Sequence, residues 1–325
     1  MTAGTNNILL HVQDLRTHFI TRGGVVRAVD GVSFIIREGE TVALVGESGC
    51  GKSVTALSLA RLIPQPPGQY AGGQVLFRGR DVLRLDDAEL RQLRGRDISY
   101  VFQEPGESLN PVFTVGYQIA EAIRLHRPKV SGRDEVLRLM NLVGLPDPER
   151  RFDAYPHQLS GGMQQRAMIA MALACNPRLL VADEPTTALD VTIQAQIMEL
   201  LGSLQKQLGM AVLLITHNLG LVADVAHWLN VMYAGRIVES GPTEKVLRNP
   251  RHPYTRGLLD AVPRLEGTTG RLKGIEGAVP NPLALPSGCP FHPRCPKAQP
   301  RCRAEEPVIE KCEEEHEARC HFWRT

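Results

Sequence analysis

The residues most clearly able to do chemistry stand between a strand-like and a helix-like run. They fit the pattern G-x-x-x-x-G-K-[ST] in full and are Gly46, Glu47, Ser48, Gly49, Cys50, Gly51, Lys52 and Ser53. Glycines in this pattern let successive backbone N–H groups point at a phosphate, and the helix N-terminus adds partial positive charge. We expect Lys52 to reach the β- and γ-phosphates of a nucleotide, Ser53 to bind Mg²⁺, and Val54 to complete the site. A glycine-rich turn without a ligand is the alternative.

A second cluster ends an apolar run further along the chain. Residues 179–182 read as a buried strand, and Asp183 and Glu184 follow it. Asp183 suits the coordination shell of Mg²⁺, whereas Glu184 can polarise an attacking water. Two carboxylates after a strand are ordinary by themselves. Together with the phosphate-binding pattern they predict nucleotide hydrolysis.

The elements that must position these residues follow from hydrophobic periodicity. Residues 8–45 predict short strands, among them 25–29 and 32–36 joined by a hairpin turn at Asp30-Gly31. A buried strand at 40–45 and a helix at 53–62 flank the glycine-rich pattern.

The rest of the ordered pattern alternates. Residues 86–100 predict a helix and then a strand, and 104–158 a polar helical stretch broken by prolines. The elements predicted after it are helix 161–175, strand 178–183, helix 190–208, strand 210–215, helix 218–227 and strand 229–233. This alternation indicates an α/β fold with βαβ units around a largely parallel sheet.

Composition excludes several classes of protein. With 325 residues, 43% of them apolar and 22% charged, the chain is not globally disordered. Its net charge of +2 provides no basic field to recruit nucleic acid. No apolar run approaches the roughly 20 residues of a membrane-spanning helix, and no secretory signal is visible. We expect a cytosolic chain.

The segment before the second carboxylate cluster carries a family resemblance. Residues 159–165 read Leu-Ser-Gly-Gly-Met-Gln-Gln and resemble the LSGGQ signature of the ABC-transporter ATPases. In that family the signature, here Ser160, Gly161 and Gly162, faces the phosphate loop of a partner subunit, so that two ATP molecules lie between two subunits. The resemblance implies a RecA-like P-loop core, an antiparallel β subdomain and a helical subdomain.

The other family motifs are present in order. The resemblance implies that Gln103 contacts Mg²⁺ and the attacking water, and that His217 contacts the γ-phosphate. Residues 187–190, which end at Asp190, resemble the D-loop. Phe19 stands about where an aromatic ring stacks on adenine, although a core phenylalanine would look the same. Together with Glu184, we expect Gln103 and His217 to form the catalytic set.

Two further stretches narrow the resemblance to the ATPases of peptide and nickel importers. Residues 108–116 and 118–121 resemble their helical subdomain, and 249–255, Asn-Pro-Arg-His-Pro-Tyr-Thr, resemble the start of their C-terminal extension. The resemblance implies an ATPase domain at 1–249, with a helical subdomain inserted at about 104–160, and an extension at 250–325.

The same resemblance implies partners and a location. These are a second, homologous but different ATPase subunit, two membrane permeases and an extracytoplasmic peptide-binding protein. The chain would lie peripherally on the cytoplasmic face of the membrane. The alternatives are a nickel or opine importer and a soluble ABC ATPase acting on nucleic acid. The latter lacks support because neither tandem cassettes nor a basic insertion is visible.

Five of the seven cysteines lie in the last 37 residues. In a cytosolic chain such a cluster suggests metal binding more than disulfides. The tail contains no C-x₂-C pair, which argues against a plain zinc ribbon. The subfamily pattern implies that four of them bind a [4Fe–4S] cluster, namely Cys289, Cys295, Cys302 and Cys320. It leaves Cys312 spare. Zinc, unliganded thiols and a redox-sensing tail are the alternatives.

All the nucleotide motifs end by His217. On this ground we expect serine substitutions at the tail cysteines to leave ATP affinity little altered.

Overall fold

A computed structural model describes residues 7–130, 132–187, 189–262 and 274–324. Contacts divide the chain into two compact units. The first unit comprises Met1–Arg37, Thr41–Leu83 and Ile215–Thr325. The second comprises Glu38–Glu40 and Arg84–Leu214.

Both strands and helices occur in each unit. The strands in the described ranges are β1 (Ile8–Thr21), β2 (Gly24–Arg37), β3 (Thr41–Val45), β4 (Gly68–Phe77), β5 (Arg80–Asp81), β6 (Ile98–Val101), β7 (Leu179–Asp183), β8 (Ala211–Thr216), β9 (Trp228–Tyr233), β10 (Arg236–Pro242), β11 (Glu310–Glu313) and β12 (His316–Ala318). The helices there are α1 (Lys52–Ser58), α2 (Asp87–Leu93), α3 (Pro105–Ser108), α4 (Val115–His126), α5 (Arg133–Leu142), α6 (Pro148–Phe152), α7 (Gly161–Leu173), α8 (Val191–Leu208), α9 (Thr243–Arg248), α10 (Pro253–Asp260) and α11 (Pro300–Ala304).

An antiparallel sheet of the first unit has the strand order β2-β1-β4-β5. The hairpin expected at Asp30-Gly31 is wrong, because both residues lie inside β2. Leu15 pairs with Val32 and Arg16 with Asp30, so Gly31 is an extra, bulged residue, with a φ of +86°. Glycine adopts this left-handed conformation without steric cost, so the strand continues through the bulge.

A second set of hydrogen-bonded strands in the first unit has the order β11-β12-β10-β9-β3. The phosphate-binding pattern follows β3 along the chain. All five residues of β3 are buried, and β3 pairs parallel with β9. The cysteine-bearing tail supplies β11 and β12, and β12 pairs antiparallel with β10 through Glu239 opposite Ala318. This pairing of the tail with β10 is not predicted from the sequence.

The second unit has the alternating pattern that the sequence predicts. Strands β6 and β7 pair in parallel, and α4, α5 and α7 contact one another. Most of α7 is buried, in line with its apolar composition. The candidate residues at the N-terminus of α7 and at the end of β7 are therefore attached to buried elements.

Two predicted helices are wrong in extent or type. The helix expected at 53–62 ends at Ser58. The helix expected at 218–227 is only a 3₁₀ turn, Leu219–Leu221, because the side chain of Asn218 accepts a hydrogen bond from the N–H of Gly220. Such a local bond, together with a glycine, favours a turn over a helix.

None of the helices in the described ranges combines the length and the apolar character needed to cross a membrane.

Candidate functional site

The glycine-rich loop joins β3 to α1 and turns sharply at its glycines. Gly49 and Gly51 have φ values of +81° and +105°, which are left-handed conformations. A side chain at Gly46 would collide with the carbonyl oxygen of Met232, and one at Gly51 with that of Ala28. The glycines of the pattern are therefore required by the close approach of neighbouring backbone, as well as by the binding of a phosphate.

Lys52 points back into the loop. Its side chain is buried, and its ammonium group donates hydrogen bonds to the carbonyl oxygens of Gly46, at 2.8 Å, and Glu47, at 3.1 Å. The N–H groups of Lys52, Ser53 and Val54 belong to the first turn of α1, where no intrahelical acceptor exists. Cationic and N–H donors thus converge on one concave loop, as an anion site requires. Cys50 is buried, and burial raises the pKa of its thiol.

Glu47 is held by two residues from the C-terminal part of the chain. Its N–H donates to the hydroxyl oxygen of Tyr254, at 2.8 Å. Its carboxylate accepts two hydrogen bonds from the guanidinium of Arg294, at 2.6 and 2.9 Å. Hydrogen bonding to Glu47 raises the pKa of Arg294 above its ordinary value. Neither residue is among the site residues predicted from the sequence, although Tyr254 belongs to the His-Pro-Tyr stretch and Arg294 immediately precedes Cys295.

Three aromatic rings pack behind this contact. Tyr233 lies 4.7 Å from Tyr254 and 5.2 Å from Phe291 between ring centroids, in edge-to-face arrangements. Burial raises the pKa of the Tyr254 hydroxyl, which therefore stays protonated. Phe291 also lines the cavity around the tail cysteines. Within this group of rings, Tyr254 therefore bonds Glu47 of the phosphate loop, and Phe291 lines the cavity of the cysteines.

The four cysteines implied as ligands line one cavity of about 20 Å³. They are Cys289, Cys295, Cys302 and Cys320. Cys312 lies on β11, outside this lining. Burial, with smaller contributions from the other three cysteines, raises the pKa of Cys289 to about 11. No group of three or more His, Cys, Asp and Glu side chains in the described part of the chain is arranged to hold a metal ion.

A buried polar cluster that the sequence did not reveal fastens the tail to β10. Glu239 has no exposed surface. Its carboxylate accepts a hydrogen bond from the backbone N–H of His252, at 2.9 Å, and forms another with the ring of His316, at 2.8 Å. Burial lowers the pKa of His252 to about 4, against a smaller, opposing effect of Glu239. The ring of His252 caps α10 by accepting from the N–H of Tyr254.

In the second unit, the predicted carboxylates lie at the end of β7. Asp183 is buried and Glu184 is half-buried. Glu184 has a φ of +48°, a strained conformation for a residue with a side chain, and its carboxylate accepts a hydrogen bond from the Thr187 hydroxyl at 2.9 Å. Asp190 caps α8 by accepting from the N–H of Ile193. Within the D-loop stretch, Ala188 lies outside the described residues.

The signature-like residues begin α7. Ser160 is the N-cap residue, and its side chain makes no capping hydrogen bond. A side chain at Gly162 would press on Ile193, at 2.9 Å. Gln164 donates to the carbonyl oxygens of Pro156 and Leu159, which fixes the approach to the helix. The first turn of α7 therefore has no side-chain cap from Ser160.

The remaining predicted residues occupy chain positions consistent with their motifs. Gln103 is exposed just after β6, and His217 is exposed just after β8. Phe19 is half-buried on β1, opposite Val26 in β2 and Gly68 in β4. Their contacts with a nucleotide remain predictions.

Comparison with known proteins identifies two family patterns. The family described as ABC transporter matches residues 29–187, and the one described as oligopeptide/dipeptide transporter, C-terminal region, matches residues 238–302.

Curated relatives match almost the whole chain. A putative peptide import ATP-binding protein of Brucella ovis is 51% identical, with 97% of each chain covered. The dipeptide transport ATP-binding protein DppD of Escherichia coli is 50% identical, covering 97% of this chain and 96% of that one. Among solved structures, the dimeric ATP-binding cassette MJ0796 with ADP and phosphate has a TM-score of 0.64 and 29% identity, covering 72% of this chain and 98% of that one.

Proposed function

The chain belongs to the family of ABC transporter ATPases, and on that premise we propose that it powers the import of dipeptides or oligopeptides. The observation that carries the proposal is that the phosphate loop and the peptide-transporter tail occur in one chain, which aligns over 97% of its length with proteins named as peptide import or dipeptide transport ATP-binding proteins. A nickel or opine importer of the same subfamily is the alternative.

We assign the nucleotide residues as follows. Lys52 and the loop N–H groups bind the phosphates of ATP, and Phe19 stacks on the adenine. Mg²⁺, when bound, neutralises phosphate charge and would be held by Ser53, Gln103 and Asp183, whose oxygen ligands suit it. Glu184 takes the proton of the attacking water, and His217 contacts the γ-phosphate.

A second subunit completes each site in this proposal. Ser160, Gly161, Gly162 and Asp190 contact ATP held by the partner's phosphate loop. The free N-terminus of α7 supports this assignment, as does the dimeric state of the solved cassette. The partner is a homologous chain, and the pair binds two permease subunits fed by an extracytoplasmic peptide-binding protein. The protein works at the cytoplasmic face of the membrane, without nucleic acid.

We also retain the proposed division into an ATPase domain, 1–249, with its helical subdomain at about 104–160, and an extension, 250–325. In the extension, Cys289, Cys295, Cys302 and Cys320 would hold a [4Fe–4S] cluster, or zinc instead. The four cysteines line one cavity and thiolates are ligands that both metals bind, whereas Cys312 lies apart. Their side chains in the described structure do not have the arrangement of a metal site, so the proposal rests on donor type and shared cavity alone. A bound cluster would join tail positions that are distant in sequence.

Uptake in cells tests the substrate. A strain lacking the chain is complemented with the wild type or with Lys52→Ala, and uptake of a labelled dipeptide is measured in competition with tripeptides, Ni²⁺ and an opine. We expect the wild type alone to restore uptake, and unlabelled peptides alone to compete. Competition by Ni²⁺ or the opine, with none by peptides, would favour the alternative substrates.

A further inference from the structure

The first two residues of the phosphate loop accept hydrogen bonds from Lys52 through their carbonyl oxygens. Its ammonium group donates to Gly46 and Glu47, at 2.8 and 3.1 Å. To bind the β- and γ-phosphates, this group must turn away from at least part of that contact. When ATP binds, the start of the loop therefore loses a hydrogen bond from Lys52, although the loop must keep its shape to hold the phosphates.

Glu47 has support that does not depend on Lys52. Its N–H is bound by the hydroxyl of Tyr254, and its carboxylate by both terminal nitrogens of Arg294. Paired hydrogen bonds between a guanidinium and a carboxylate fix orientation as well as distance. Glu47 is therefore held at its backbone and at its side chain.

The two supporting residues are themselves immobilised. Tyr254 has no exposed surface, and the side chain of Arg294 is 4% exposed. Arg294 also donates to the carbonyl oxygens of Glu276, at 2.9 Å, and Ile275, at 3.3 Å. A buried guanidinium with these partners has few other positions available, so the start of the loop is tied to a buried part of the tail.

We propose that Tyr254 and Arg294 are positioning residues for ATP, which hold the first turn of the phosphate loop through Glu47 while Lys52 moves to the phosphates. The proposal rests on the proposed function, since it takes ATP as the ligand of the loop. Glu47 then serves as the loop's anchor rather than as a phosphate contact, because its N–H already has an acceptor.

The first test measures binding of Mg-ATP to the full-length chain by titration calorimetry. Arg294→Met and Glu47→Gln should each raise Kd by roughly tenfold, because each breaks the charged, paired contact. Combining them should raise Kd little further, since both remove the same interaction. Tyr254→Phe should raise it about fivefold by leaving the Glu47 N–H without its acceptor.

Two further variants separate positioning from general damage to the tail. Arg294→Lys keeps the charge and should recover part of the affinity. Arg301→Met is the matched control, because Arg301 pairs with Glu305 at an exposed site within the tail. It should bind ATP as the wild type does.

The second readout is ATP hydrolysis by the assembled transporter. A positioning role predicts a raised KM for ATP with kcat at saturation within about twofold of wild type. Unchanged Kd in Glu47→Gln and Tyr254→Phe would overturn the proposal, and these two variants decide it even if Arg294→Met fails to fold. A fall in kcat at unchanged KM would also overturn it. Absence of ATP binding by the wild type would instead refute the proposed function.

Discussion

Glu184 is held in a strained left-handed conformation at the end of β7, with the Thr187 hydroxyl on its carboxylate. Strain of this kind persists where the surrounding structure fixes a functional group. Glu184→Gln should preserve ATP binding and reduce turnover by about a hundredfold or more, because the carboxylate acts on the water. Nucleotide affinity and steady-state hydrolysis, measured together, check this expectation.

The matched control is Glu199→Gln, which changes an exposed carboxylate on α8. It should hydrolyse ATP as the wild type does. Turnover close to wild type in Glu184→Gln would remove Glu184 from the role of base.

His252 gives the fold a pH dependence with a definite sign. Burial lowers its pKa to about 4, whereas an unfolded histidine titrates near 6.5. Between these pH values the unfolded state binds more protons, so stability is full above about pH 6.5 and falls as the pH drops toward 4. His252→Asn keeps a side-chain acceptor for the Tyr254 N–H and should flatten this fall by up to about 3 kcal/mol.

Urea unfolding at several pH values measures this effect. His157→Asn, at an exposed position, should keep the wild-type pH dependence. The same slope in His252→Asn and in the wild type would show that another group is responsible.

At the scale of elements, the N-terminus of α7 is free of side-chain capping. Ser160→Arg places a cation against the positive end of the helix dipole, which weakens an anion site. We expect ATP binding to the subunit's own loop to persist while hydrolysis at the partner's loop falls at least tenfold. Mixed dimers with one mutated subunit, assayed for binding and hydrolysis, provide the measurement. Loss of ATP from the mutated subunit's own loop would mean that the signature acts within one chain.

The tail cysteines make a second prediction at this scale. If a [4Fe–4S] cluster is bound, anaerobically purified protein should be brown and contain about four iron atoms per chain. Serine at any of the four cavity cysteines should remove most of the iron, because a hydroxyl is a poor substitute for a soft thiolate.

Cys312→Ser is the control, since Cys312 lies outside the cavity, and it should retain the iron. Stoichiometric zinc without iron would replace the cluster by a zinc site. If Cys312→Ser lost the iron and Cys320→Ser kept it, the assignment of Cys320 as the fourth ligand would be wrong.

Local patterns predicted the elements that carry the nucleotide motifs. The buried strand β3, the loop glycines and the helices α7 and α8 are specified by residues close in sequence, so periodicity and spacing suffice. The bulge at Gly31 escaped prediction because an Asp-Gly pair suits a hairpin turn as well as a bulge. Only pairing with β1 decides between them.

The contacts of the tail could not be predicted for a related reason. Glu239 and His316, or Glu47 and Arg294, are far apart in sequence and carry no spacing signal. Their partnership depends on β12 joining β10 and on the packing of Tyr233, Tyr254 and Phe291. A sequence alone shows such residues as unrelated polar and aromatic positions.

At the scale of the whole molecule, the tail is part of the first unit and extends the strand run that leads to the phosphate loop. The proposed role of Tyr254 and Arg294 would link ATP binding to the packing of the tail, and each would then stabilise the other by the same free energy. In the proposed transporter, this chain, its partner ATPase and the permeases would act together. Peptide movement should occur only when ATP is hydrolysed.

Peptide transport by the purified, reconstituted transporter tests this account most directly. Proteoliposomes holding both ATPase subunits and the permeases are given the peptide-binding protein, a labelled dipeptide and Mg-ATP, and peptide accumulation is followed together with phosphate release. We predict that both require ATP and that Lys52→Ala in this chain reduces both at least tenfold, because the loop loses its phosphate-binding cation. Peptide accumulation at the wild-type rate in the Lys52→Ala transporter, or ATP hydrolysis that never moves peptide, would contradict the account.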